Sequence, residues 1–303
     1  MPLDTRIPLS KLEIYCTVVE LESVTAAAKE LFVSQPVVTS HVRSLQDRLG
    51  AKLLYRDGHS MRPTEAGQLA YEWAKDVLTR SHEMSRRIEG LADGSVGSVA
   101  VAASMTVGSY LLPPVVTRFR EGRPLARIGL DMFDPEHVVS GIESGAYDIG
   151  VLIANERSLE SGDLVFERIG HEEFVLVAGP GADVPDVIEA AALPELEMVG
   201  SPRHRAREYL LTDLLDGAGL ERGPTAIELG HAEAMKRVVK ESGSLSFMFE
   251  ASVRDELARG ELRRVEIAGV GPLGTPIYLA HRDRKDFSAL QAALVEAIKA
   301  DLA

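Results

Sequence analysis

The sequence predicts an α+β chain of several domains. A small helical domain closed by a hairpin comes first, then a long connecting helix, then an α/β body in two halves. Three observations lead there. Helical hydrophobic spacing recurs three times in the first 50 residues, each time behind a candidate capping residue. A proline-free stretch of helical periodicity follows, from Glu65 to about Leu91. Beyond it, short apolar runs alternate with helical segments, which is the pattern of βαβ units. A length of 303 residues fits two or three such domains.

Composition narrows the class. Hydrophobic residues make up 45% and charged residues 26%, near the globular average. No apolar run approaches the roughly 18 residues of a membrane span. The opening stretch lacks a basic segment followed by an apolar one, so no signal peptide is expected. Cys16 is the lone cysteine, which excludes an intrachain disulfide and suits a reducing cytoplasm. The formal charge of −13 is unevenly spread. Residues 1–64 carry eight basic and seven acidic side chains, a net +1, and residues 36–64 are net +3. An acidic body with a locally basic head can bind nucleic acid through the head while the body discourages nonspecific adhesion.

In the head, Ser10 is a candidate cap for a first helix, with Leu12, Tyr15, Cys16 and Val19 on one face. Ser23 can cap a second, with Ala27 and Leu31 inward. Ser34 can cap a third, and Pro36 is tolerated in its first turn. On this third helix Val38, Val42, Leu45 and Leu49 form a narrow apolar stripe, and Pro36, Thr39, Ser40 and Arg43 lie opposite, with Gln35 at the entrance. Such a helix is either an ordinary solvated surface or a recognition helix. In the second case Gln35 can bond adenine, Arg43 guanine, and a threonine methyl can meet the thymine methyl. The segment 53–63 adds a hairpin with arginines at both ends, Arg56 and Arg62, a wing able to reach phosphates or the minor groove. On the recognition-helix reading the candidate DNA contacts are Thr25, Ser34, Gln35, Pro36, Thr39, Ser40, Arg43, Arg56 and Arg62, and the expected partner is double-stranded DNA.

Residues 21–70, LESVTAAAKELFVSQPVVTSHVRSLQDRLGAKLLYRDGHSMRPTEAGQLA, resemble the LysR-type transcriptional regulators. The carrying elements are Ala-Ala-x-x-Leu, Ser-Gln-Pro, Leu-x-x-Arg-Leu-Gly, Leu-x-x-Arg and Thr-x-Ala-Gly, in the family's order and spacing. Leu54-Tyr55 stands where the family often has Leu-Phe, and His41 where many members carry another polar residue. The resemblance extends more weakly over the whole chain. It implies a winged helix-turn-helix domain at 1–64, a dimerising linker helix at 65–91, and a periplasmic-binding-protein-like effector domain at 92–303. It also implies a homodimer or homotetramer, a cytoplasmic, nucleoid-associated location, and RNA polymerase as a further candidate partner.

Read from its own residues, the connecting stretch places Leu69, Trp73, Val77, Met84, Ile88 and Leu91 near a heptad register. That stripe packs either on a second copy or on its own domain. Residues 92–98, ADGSVGS, read as a hinge. In the body, subdomain I is expected at about 96–163 and 270–303, and subdomain II at about 164–269. Their β-α-β alternation predicts mainly parallel sheet and a cleft between the halves. A ligand belongs beyond the C-terminal strand ends, near helix N-termini. Ser104, Met105 and Thr106 stand at one such place, Ser201 with Arg203, His204, Arg205 and Arg207 close behind at another, and His231 at a third. Together they suggest a small anionic effector, most simply a carboxylate. Helix caps and a solvated arginine surface are the plainer account. Phe247 either makes the pocket apolar or belongs to the core, and His171-Glu172-Glu173 reads as surface.

No catalytic signature, zinc-type cysteine set or cofactor loop is evident. An enzyme with an accessory head should show convergent acid/base residues at strand ends, and none assemble here. An architectural DNA-binding protein would need no cleft. The expectation is therefore a ligand-responsive transcriptional regulator with no metal and no cofactor.

Overall fold

The structure is a computed structural model, and it describes residues 7–58, 60–92, 97–155, 159, 164–283, 285 and 287–303. His59 and most of the expected hinge, residues 93–96, lie outside the described residues, as does the side chain of Leu91. The chain divides into two compact units, one of Met1–Asp93 with Glu143–Ala146, the other of Gly94–Ile142 with Tyr147–Ala303. Among the described residues no helix is long and apolar enough to cross a membrane.

The first unit opens with α1 (Leu9–Glu20), α2 (Val24–Glu30) and α3 (Gln35–Leu49). Pro8, rather than Ser10, occupies the N-cap of α1, so the helix starts earlier than expected. Ser23 caps α2 by accepting from the Ala26 amide at 3.2 Å. Ser34 stands at the α3 N-cap without making a side-chain cap bond. Leu12, Tyr15, Cys16, Ala27, Val38, Val42, Leu45 and Leu53 form the buried core of this head. β1 (Leu54–Asp57) and β2 (Ser60–Pro63) pair antiparallel, Leu54 opposite Pro63. Phe32, in the turn between α2 and α3, is 96% exposed and has φ of +54°.

Thr64 then accepts from the Gly67 amide at 3.0 Å and caps α4, one helix from Glu65 to Ala92, about 40 Å long. The head does not close at Thr64. Ala70 and Ala74 of α4 are buried in its core, with Tyr71, Trp73, Val77 and Leu78 packed beside them. Gly67 is required by close approach, because a Cβ there would stand 1.9 Å from the Leu53 carbonyl oxygen. Of the proposed seam, Trp73 and Val77 are thus partly given to the head. Leu69, Met84 and Ile88 remain exposed at 66%, 60% and 56%.

The second unit is built on one ten-stranded sheet. Its first half contains β3 (Ser98–Ser104), a π-helical turn (Val107–Leu111), α5 (Leu112–Glu121), β4 (Arg127–Phe133), α6 (Pro135–Glu143) and β5 (Ile149–Ile153). The order β4-β3-β5 is parallel. Residues 105–121 form one unbroken helical run, and Pro113 and Pro114 lie inside it, directly after the π-helical turn. The second half contains β7 (Val187–Ile188), a 3-10 turn (Ala190–Glu195), β8 (Met198–Gly200), α7 (Ala206–Gly217), β9 (Thr225–Glu228), α8 (Ala232–Glu241), β10 (Leu245–Phe249), α9 (Glu250–Arg259) and β11 (Arg263–Ile267). β6 (Leu164–Ala178) and β12 (Leu273–Arg282) run through both halves, and α10 (Ala289–Leu302) ends the chain against the first. The sheet is mixed rather than mainly parallel, because β6 and β12 are antiparallel to each other and to the βαβ strands beside them.

The register fixes what lies between the halves. β5 ends with Ile153 opposite Ile277, and β10 ends with Phe249 opposite Phe174, itself opposite Leu273. Since β5 and β10 run in opposite directions, their C-terminal ends point at one another across Leu273–Ile277. Four residues of strand separate them, about 13 Å. The helices that follow β3, β4, β8, β9 and β10 therefore start around this gap.

Candidate nucleic-acid interface and effector cleft

In the head, the helical period that buries Val38, Val42 and Leu45 turns the opposite side of α3 to solvent. Ser34, Gln35, Pro36, Thr39, Ser40 and Arg43 are all exposed, as are Thr25 on α2 and Arg56 and Arg62 on the hairpin. The Thr39 hydroxyl donates to the Gln35 carbonyl at 3.0 Å, which holds it against the helix and leaves its methyl outward. Arg56 Nε donates to the Gly58 carbonyl at 3.2 Å. Arg62 pairs with Glu22 and Asp57, each at 3.3 Å, and all three side chains are well exposed. His41 is half-buried rather than outward, with a buried Nδ1 that has no partner among the described residues.

In the body, the serines at strand ends have structural duties. Ser104 is buried, and its Oγ accepts from the Ile153 amide at 3.1 Å, stitching the ends of β3 and β5. Met105 is 40% exposed, and Thr106 opens the π-helical turn without a side-chain cap bond. Ser201 is buried, and its Oγ accepts from Arg207 Nη1 at 2.9 Å. Arg207 Nη2 donates to the Phe247 carbonyl, and its guanidinium lies over the rings of Phe174 and Phe249. Burial pushes Arg207 down to about 10, with Glu208 opposing and Arg222 adding, so it stays cationic at neutral pH. Arg203 is exposed and makes no hydrogen bond or ion pair among the described residues. His231 is exposed and caps α8, its Nδ1 accepting from the Glu233 amide at 3.3 Å. Phe247 is core: it is buried in mid-strand opposite Leu176 and leaves only its carbonyl to Arg207.

Sequence reasoning singled out Arg205 but missed the pairings that span the gap. Each strand end of the first half sends one polar side chain, or receives one, across to the second. After β3, the Tyr110 hydroxyl donates to Glu233 Oε1 at 2.6 Å. After β4, Asp134 Oδ2 accepts from Arg205 Nη1 at 2.8 Å. After β5, Asn155 Nδ2 donates to Asp213 Oδ2 at 2.6 Å. Glu233 is further held by Lys236 at 2.7 Å, and Lys236 by the buried Glu256 at 2.9 Å. Burial alone would raise Glu233, but the bonds from Lys236 and Tyr110 outweigh it and lower it.

The floor of the gap corrects another expectation. Glu172 is not surface: it lies in mid-β6, 6% exposed, and accepts from the Ala251 amide at 2.7 Å where α9 begins. Burial holds its carboxyl above the usual range, with the Ala251 bond and Arg254 opposing. Opposite it on β12 stands Thr275, buried, with an Oγ1 that has no partner among the described residues. A lone acidic triplet gave no sign of this, because burial here comes from the strands on either side. Among the described residues no group of three His, Cys, Asp or Glu side chains could hold a metal ion.

Comparison with known proteins agrees with this architecture. A family model described as the LysR substrate binding domain matches residues 92–303, and one described as a bacterial regulatory helix-turn-helix protein of the lysR family matches residues 9–68. The uncharacterized HTH-type transcriptional regulator YeiE of Escherichia coli is 29% identical over 293 residues, covering 95% of this chain and 96% of that protein. A probable RuBisCO transcriptional regulator of Cyanidioschyzon merolae is 26% identical over 271 residues, covering 88% and 89%. The crystal structure of full-length CbnR complexed with its target DNA shares the fold at a TM-score of 0.56 and 23% identity, over 98% of this chain and 100% of that one. HinK, a LysR family transcriptional regulator from Pseudomonas aeruginosa, does so at 0.57 and 20%, over 97% and 98%.

Proposed function

Because the chain belongs to the LysR family of bacterial helix-turn-helix transcriptional regulators, we propose that it reads operator DNA with α3 and the β1–β2 hairpin, pairs through α4, and is switched by a small carboxylate between the halves of its body. It is a DNA-binding regulator with an effector-binding domain, not an enzyme with an added head. The residue assignments extend that statement. Residues 1–64 supply the DNA-reading surface, the first turns of the 65–91 helix complete that domain's core and its remainder pairs, and 92–303 form the effector domain. The polar outer face of α3 beside a basic hairpin, on an otherwise acidic chain, carries the reading. Five helix starts around one gap, with Thr106 uncapped and Arg205 at its rim, support an anionic effector. Exposed Leu69, Met84 and Ile88 support a homodimer or homotetramer. Regulation of transcription brings RNA polymerase in as a partner and places the protein on the nucleoid, in the cytoplasm.

Operator titrations test the head. Gln35→Ala and Arg43→Ala should each cost about 1–3 kcal/mol of specific binding and relax base preference. Arg56→Ala should weaken specific and nonspecific DNA alike and reduce the salt slope by about one. Arg62→Ala should cost less, because Arg62 gives up Glu22 and Asp57 to reach a phosphate. Unchanged affinity in all four variants would remove the assignment.

A further inference from the structure

Arg207 lies in the first turn of α7, half-buried where β8 and β10 end. Its Nη1 donates to the Ser201 hydroxyl at 2.9 Å and its Nη2 to the Phe247 carbonyl. That engages two of its five N–H groups. The guanidinium rests on Phe174 and Phe249, whose rings stack at 4.0 Å, with its central carbon 5.2 and 5.9 Å from the two centroids. Among the described residues no carboxylate pairs with it, and the adjacent Glu208 bonds Arg222 instead. A cation withdrawn from water ordinarily keeps an anion beside it.

The floor continues past the rings. Residues two apart on a strand share a face, about 7 Å from one another. Glu172 and Thr275 therefore stand on the same face as Phe174 and Leu273, one row nearer β5. Thr275 is 2% exposed, and its Oγ1 has no partner among the described residues. A hydroxyl closed off in that way destabilises the fold that keeps it. One face of the sheet thus carries a cation without a counterion and, a row away, a hydroxyl without a partner.

We propose that these two groups hold the two ends of the effector: Arg207 pairs with its carboxylate and Thr275 bonds a hydroxyl at its far end, so the site selects a small hydroxylated monocarboxylate over a dicarboxylate. The proposal rests on the reading of the gap as the effector site and names what that site selects. Phe174, Phe249 and Leu273 supply apolar surface between the two groups, which suits a short methylene chain. A second carboxylate at the Thr275 end would lie beside Glu172, where burial already disfavours one charge. The way in is the gap itself, which the Tyr110–Glu233, Asp134–Arg205 and Asn155–Asp213 pairs bridge with partly exposed side chains.

Three acids of like length serve as probes: 4-hydroxybutyrate, its isostere pentanoate, and succinate. Calorimetry on the full chain at neutral pH and constant ionic strength should show 4-hydroxybutyrate binding about tenfold more tightly than either of the others. Thr275→Val keeps the shape and removes the unmet hydroxyl. It should bring 4-hydroxybutyrate down to the level of pentanoate and leave pentanoate unweakened. Arg207→Gln should weaken 4-hydroxybutyrate and pentanoate alike, by at least about tenfold. Thr275→Val carries the test alone if Arg207→Gln does not fold. An undiminished preference for the hydroxy acid in Thr275→Val would overturn the role of Thr275, and wild-type affinities in Arg207→Gln would overturn that of Arg207. No binding of 4-hydroxybutyrate to wild type at about 10 mM would overturn the proposal as a whole. The reading of the gap as the effector site fails on a separate result, that no carboxylate bound by the chain alters its affinity for operator.

Discussion

Glu172 shows how a single side chain can work against the usual pH dependence of a carboxylate. Its proton is held more tightly in the folded chain than in the unfolded one, because burial disfavours the charge. The stability it supplies is therefore complete at acid pH and declines as pH rises from the ordinary carboxylate range through its raised folded value. Glu172→Gln keeps an oxygen for the Ala251 amide and removes the decline. Urea unfolding should show the variant gaining on wild type as pH rises above the ordinary carboxylate range, about pH 4. A constant difference would mean that Glu172 titrates normally. Side chains of this kind were not legible in the sequence. Asp134 and Arg205 are 71 residues apart and Tyr110 and Glu233 are 123 apart, and no local pattern announces such meetings. Ser104 and Ser201 were legible as strand-end residues, yet the hydroxyl of each is claimed by a neighbour that only the fold supplies.

At the level of elements, the head could be read closely because its helices obey local rules. Apolar spacing, Ser23, Pro36 and Thr64 all act where the periodicity puts them. The long β6 was harder, since His171, Glu172 and Glu173 break its apolar run and only neighbouring strands make it continuous. α4 lies between these cases. Its register was visible in the sequence, but not that the head would take Trp73 and Val77 into its own packing. Apart from Leu69, the free part of the stripe is therefore the distal one. Met84→Glu with Ile88→Glu should yield a folded monomer at micromolar concentration in sedimentation velocity. Each added charge would otherwise be buried unpaired, at a cost of several kcal/mol. Trp73→Glu should unfold the head instead. A double variant that still sediments as an oligomer would place the seam elsewhere.

For the molecule as a whole, DNA and effector must influence each other equally if one reports to the other. A screen of small carboxylates by thermal shift supplies the ligand. Calorimetry with and without operator should then give the same coupling factor as operator titrations with and without that ligand. Thr106→Val, which removes a hydroxyl engaged in no cap bond, should lower the effector response and leave effector-free DNA binding intact. An unaltered response would move the site away from the start of the π-helical turn. The way the body yields follows from β6 and β12. The two strands pass through both halves without a break, apart from the irregularity between Ile277 and Tyr278. A rotation of one half against the other need not rupture their ladder. It can be absorbed as torsion in a two-stranded ribbon, the sheet form with the widest range of twist, concentrated where the extra residue already bends it. The body behaves, on this geometry, as a flexure rather than a hinged joint: its restoring force comes from the pleat itself and grows with the angle through which the halves are turned.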